Sequence, residues 1–100
     1  MILNTTFHID PQIKDEFLLW AADYMRQATE KELKPRLMLV HLPVMEHEHE
    51  CLSYALHLEG SDRQIAAWED NPQPQLLRAL ADAFGQRALP VSVRLQEVEL

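Results

Sequence analysis

The order of hydrophobic periods constrains this chain more than any motif in it. Along its 100 residues the period reads two, then 3.6, then two twice, then 3.6, then two again. Elements in the order β-α-β-β-α-β follow, as two split β-α-β crossovers around a central hairpin. The reading is one α+β domain over residues 1–100. It is a ferredoxin-like sandwich: a four-stranded antiparallel sheet in order 4-1-3-2, with both helices on one face.

Residues Ile2 to Ile9 alternate, with Leu3, Thr5, Phe7 and Ile9 on one face and Ile2, Asn4, Thr6 and His8 on the other. Asp10-Pro11 supplies an N-cap and a first-turn proline for a helix expected to run to about Leu33. Its apolar stripe is Ile13, Phe17, Trp20, Ala21, Tyr24 and Ala28, flanked by Leu18 and Met25, and Leu19 among the charges is an apolar residue that pattern does not explain. Leu37 to Val44 is a nearly unbroken apolar run, so periodicity does not fix which side of this second strand turns inward. Glu46-His47-Glu48-His49-Glu50 is the expected hairpin tip, and Cys51 to Glu59 the return strand, with Leu52, Tyr54, Leu56 and Leu58 alternating against Cys51, Ser53, Ala55 and His57.

Gly60-Ser61-Asp62 turns the chain and caps a second helix containing Ile65 and Trp68. Asn71-Pro72-Gln73-Pro74 must kink or break it, because proline removes a donor and disfavours helical backbone before it. Leu76, Leu77, Leu80 and Phe84 resume the stripe, and Gly85 suits the left-handed residue after a helix. Val91, Val93 and Leu95 alternate in the last strand, with a phase slip near Glu97. Pro43 and Pro90 both fall in predicted edge strands, where proline is tolerated. The expected core is Phe7, Phe17, Trp20, Tyr24, Leu56, Trp68, Leu80 and Phe84.

A net charge of -7 without a Lys/Arg cluster argues against nucleic acid as a partner, because phosphate backbones repel such a chain. Cys51 is the single cysteine, which excludes an intrachain disulfide and fits a reducing compartment. No basic n-region precedes an apolar h-region, and the apolar run Phe17 to Ala22 is too short to cross a bilayer. A soluble cytoplasmic protein, with no membrane partner, is the expectation.

The candidate site is the sheet face that the helices leave open. The alternation assigns Asn4, Thr6, His8, Ser53, Ala55, His57, Ser92, Arg94 and Gln96 to it, and a turn near Glu46-His47 sets His41 across from Ser53. A row His8–Ser53–His41 then crosses three strands, with Cys51 adjacent. The leading use is the interface of a homodimer, making the chain a non-catalytic binding or accessory module. The alternative is an enzyme or ligand sensor that takes a small anionic molecule at Asn4, Thr6, His8, His41, Ser53, His57 and Arg94. There the imidazoles would move protons and Arg94 would hold a carboxylate or phosphate.

No catalytic residue, metal or cofactor is assigned. His8, His41 and Cys51 come from three strands without short-range ligand spacing. His47 and His49 sit on a charged turn, and Cys51 beside a histidine reads first as a small strand residue rather than a nucleophile. Trp20, Tyr24 and Trp68 read as core before they read as a ligand cage.

The opening Asn4-Thr5-Thr6-Phe7-His8-Ile9, then Asp10 and a helix with Phe17 and Trp20, resembles a family of small bacterial proteins of unknown function. Its members open with a strand like Tyr-Asn-Thr-Thr-Phe-His-Val. Pro35-Arg36-Leu37, Ser53-Tyr54, the proline-interrupted second helix and Phe84-Gly85 extend the resemblance over most of the chain. Where the family pattern has Ile-Pro and then Ala-Thr-Gly in the first helix, this chain has Tyr24-Met25-Arg26 and Ala28-Thr29-Glu30. The resemblance implies a ferredoxin-like fold similar to dimeric α+β barrels, and it carries no reaction, cofactor or catalytic residue.

Overall fold

The computed structural model of the protein describes residues 1–28, 33, 35–41 and 51–100. Strand β1 is Ile2–Ile9, and a 3-10 turn at Pro11–Ile13 leads into helix α1, Lys14–Ala28. Strand β2 is Arg36–Leu39, β3 is Leu52–Glu59, α2 is Asp62–Asp70, α3 is Pro72–Phe84 and β4 is Ala88–Leu95. The strands form one sheet in order β2-β3-β1-β4, every neighbouring pair antiparallel. That is the expected order read from the opposite edge. Pro90 lies in the edge strand β4. Pro43, the run to Val44, the tip with His47 and His49, and all but Leu33 of the expected end of the first helix lie outside the described residues.

Local chemistry accounts for the element boundaries. Asp10 accepts a hydrogen bond from the Gln12 amide at 2.8 Å, and its own amide donates to the Arg87 carbonyl at 2.9 Å, so one residue starts the helical turn and ties it to the end of the chain's last loop. Ser61 and Gln64 form a reciprocal capping box: the Ser61 Oγ accepts from the Gln64 amide at 3.1 Å, and the Ser61 amide donates to Gln64 Oε1 at 2.8 Å. The second helical stretch is broken, not kinked. α2 ends at Asp70, Asn71 takes a non-helical conformation, and Pro72 begins α3, where its missing donor costs nothing. Gly85 ends α3 at φ 58°, a left-handed angle that side chains disfavour.

Helices cover one face of the sheet. Leu3, Thr5, Phe7 and Ile9 are each no more than 2% exposed. The apolar ones join Leu56 and Leu58 of β3, Phe17 and Ala21 of α1, Ile65 and Trp68 of α2, and Leu76 and Leu80 of α3 in one core. Phe17 is its centre, with ring centroids 5.4 Å from Phe7, 5.7 Å from Tyr54 and 6.1 Å from Phe84. Of the expected core aromatics, Trp20, Tyr24 and Phe84 are half-buried at its margin rather than inside it.

Candidate functional site

Among the described residues no helix covers the opposite face of the sheet, and registry decides what stands on it. β1 and β3 pair as the alternation predicts: His8 lies opposite Ser53, Thr6 opposite Ala55 and Asn4 opposite His57. His8 Nδ1 and Ser53 Oγ are 2.9 Å apart, and Asn4 donates to Thr6 Oγ1 at 3.1 Å. Ser53 is buried although it lies on the uncovered side, its short side chain set between its strand neighbours His8 and Val40.

β4 is the reverse of its expected orientation. Thr5 pairs with Ser92, Leu3 with Arg94 and Phe7 with Pro90, so Ser92 and Arg94 turn toward the helices and not onto the open face. Two polar contacts hold that orientation. Thr5 Oγ1 and Ser92 Oγ meet at 2.8 Å, giving the buried threonine hydroxyl its partner. Arg94 reaches α2, where its Nε donates to both carboxylate oxygens of Glu69 and its Nη2 donates a third bond, to Oε1. Those hydrogen bonds hold the Glu69 carboxyl below its usual range, against a smaller opposing push from burial, and Arg94's positive charge adds to the lowering. The expected anion-binding arginine is therefore engaged on the far side of the sheet.

The corollary is that Leu89, Val91, Val93 and Leu95 stand on the open side, about half exposed: 54, 52, 46 and 48%. β2 is also opposite in phase to the arrangement that would place His41 beside Ser53. Leu37 pairs with Leu56 and Leu39 with Tyr54 on the helix side, while Arg36 opposite His57 and Met38 opposite Ala55 face outward. The Val40 amide donates to the Ser53 carbonyl at 2.8 Å, so Val40 occupies the place expected for His41. The row across the sheet is His8–Ser53–Val40.

The face thus combines a polar centre (Asn4, Thr6, His8, Ser53 and His57) with an apolar flank along β4. Among its described strand residues Glu59, at the very end of β3, is the one carboxylate, although the chain has 16 acidic residues. Among the described residues no three His, Cys, Asp or Glu side chains converge as a metal site, and no helix is long and apolar enough to cross a membrane. Sequence reasoning missed the β4 flank because it assigned the larger residues of an alternating strand inward. The opposing signal was Ala88-Leu89-Pro90 at the strand's start, where a small residue and a proline share the parity of Ser92 and Arg94.

The chain belongs to a family described as a domain of unknown function (DUF4286), whose model matches residues 1–98. No curated protein and no solved structure matches it.

Proposed function

We propose that this member of the family works as a homodimeric module, without chemistry of its own, in which the open sheet face packs against the same face of a second copy. The carrying observation is the inversion of β4: its four large apolar side chains, Leu89, Val91, Val93 and Leu95, point away from the protein's own helices. An exposed apolar flank of that kind marks an interaction surface, and a symmetric partner is the simplest cover.

Charge supports the same occupant. Two copies each of net charge -7 repel over most of their surfaces, whereas the described strand residues of this face include Arg36, His8 and His57 and one carboxylate, at the rim. Three strands of eight residues and one of four, at about 3.3 Å per residue and about 4.8 Å apart, give a flat footprint of roughly 440 Å². That is a little over half of the ~800 Å² per partner of a standard interface, so side-chain relief and the sheet's margins must supply the rest.

The architecture is then best read as ferredoxin-like, with its second helix split, and the assembly as an α+β barrel closed by two sheets. An exposed lone thiol, Cys51, suits a reducing cytoplasm. The polar centre of the face becomes the lining between the sheets. His8 and Ser53, already bonded to each other, lie there with Asn4, Thr6 and His57. A small anion between the copies is the second reading, favoured by that His8–Ser53 pair and carried by Arg36, since Arg94 and His41 do not reach the face.

Sedimentation at tens of micromolar tests the proposal. The expected result is a dimer that Val91→Asp with Val93→Asp converts to a folded monomer. A wild-type monomer overturns it, and so does a dimer indifferent to those changes. Protection of β4's outward amides from hydrogen exchange on dimerisation would overturn the face in favour of edge-to-edge pairing.

A further inference from the structure

On the helix side, the sheet is covered unevenly. Leu3, Phe7, Leu56 and Leu58 are sealed at 2% exposure or less, but Leu37 of β2, on the same side, is 38% exposed. Under α1 the helix layer leaves a cavity of about 480 Å³. Phe7 and Leu56 form its floor, Leu18, Ala22 and Met25 of α1 one wall, and Leu37 its β2 side. Close-packed interiors hold few voids larger than one water, and an engineered apolar void of about 150 Å³ already takes up benzene. A pocket this size, half open to solvent and lined mostly by carbon, lies within the range of ligand sites.

The polarity of its rim restricts the ligand further. Among the described lining residues Arg26 is the one charged side chain, and its partner Asp23 stands 3.7 Å away with both groups well exposed. So loose a surface pair contributes little and yields readily to a better-placed acid. An apolar body with one anionic end matches this arrangement. The space is about three times the roughly 150 Å³ void that takes up benzene, which leaves room for a body of roughly ten to fifteen non-hydrogen atoms. We propose that the cavity between α1 and β2 is a binding site for an apolar carboxylate of that size, its chain against Leu18, Met25 and Leu37 and its acid group at Arg26.

Dodecanoate and the uncharged dodecanol, titrated calorimetrically below their aggregation limits, test the assignment. Saturable 1:1 binding of dodecanoate is expected, with dodecanol weaker. Arg26→Gln should weaken dodecanoate on the order of tenfold, the effect of losing one charge-assisted hydrogen bond, and leave dodecanol unchanged. Ala22 lies on the exposed side of α1, so Ala22→Trp should fill the cavity, keep the circular-dichroism spectrum and abolish uptake of both. Absence of saturable binding overturns the proposal. Undiminished binding to a folded Ala22→Trp protein, or binding lost instead with Val91→Asp and Val93→Asp, moves the ligand elsewhere and overturns it equally.

Discussion

The two faces of this sheet are built from the same strands and follow opposite rules. Along β1, Leu3, Thr5, Phe7 and Ile9 are sealed under the helices, while Ile2, Asn4, Thr6 and His8, one residue out of step, remain half-buried. In β4 the chemistry crosses over. The helix side receives Ala88, Pro90, Ser92 and Arg94, and the bare side receives Leu89, Val91, Val93 and Leu95. A strand at the edge of a two-layer fold can afford that exchange, since few helix side chains reach it and hydrogen bonds to Thr5 and Glu69 replace packing. The lesson is that apolarity alone does not identify the inward face when both faces have something to cover.

The largest expected effect sharpens that contrast within one strand. Phe7→Ala removes a ring in contact with Phe17 and should cost about 3–5 kcal/mol in urea denaturation, a large part of the stability of a domain this size. Thr6→Ala, its neighbour on the bare face, should cost well under half of that at protein concentrations that favour the monomer. Equal costs at the two positions would mean that the open face is as tightly packed as the covered one. A cost at Thr6 that grows with protein concentration would instead report burial in a dimer.

That division was legible in the sequence for the central strands and not for the edges. β1 and β3 alternate between large apolar and polar residues, so Phe7 and Leu56 could face only one way, and His8 came to lie opposite Ser53 as expected. β2 is apolar at Leu37, Met38 and Leu39 alike, which leaves its phase to pairing with β3. In β4 both parities are respectable, Val-Val-Leu on one side and Ser-Arg on the other. Only the hydroxyl waiting on Thr5 and the carboxylate waiting on α2 settle the matter, and both are tertiary facts. Arg94 was misplaced for that reason, and His41 because a one-residue difference in strand phase exchanges faces. That the second helix is interrupted near Asn71 was legible because Pro72 removes a donor whatever surrounds it, but that it breaks rather than kinks was not.

A middle-sized effect tests whether the Thr5–Ser92 pair fixes β4's orientation. Ser92→Ala leaves a hydroxyl on a residue 2% exposed without its partner, with an expected cost of about 1–3 kcal/mol. Thr5→Val made together with Ser92→Ala removes both polar groups and should return most of that loss, a coupling that a double-mutant cycle reads directly. Strict additivity would mean that the two hydroxyls do not act as a pair and that another contact holds β4 in place.

The smallest expected effect belongs to the other polar tie, and its pH dependence has a definite sign. Hydrogen bonds from Arg94 hold the Glu69 carboxyl below its ordinary 4.5, so the ionised form is favoured in the folded state relative to the unfolded chain. The stabilisation is therefore complete at neutral pH and persists down to about that ordinary value. It fades as pH falls further and the folded carboxyl takes up its proton. Arg94→Gln should lower the denaturation midpoint slightly at pH 7, by less than Ser92→Ala does, because the pair is partly exposed and screened by water. The difference between wild type and variant should shrink below about pH 4.5 and be absent in a Glu69→Gln background. It should also be the same at low and high protein concentration, because Arg94 faces the helices and not the proposed partner. A deficit that instead grows with protein concentration would place Arg94 at the interface, and would overturn the orientation of β4 on which the contrast between the two faces rests.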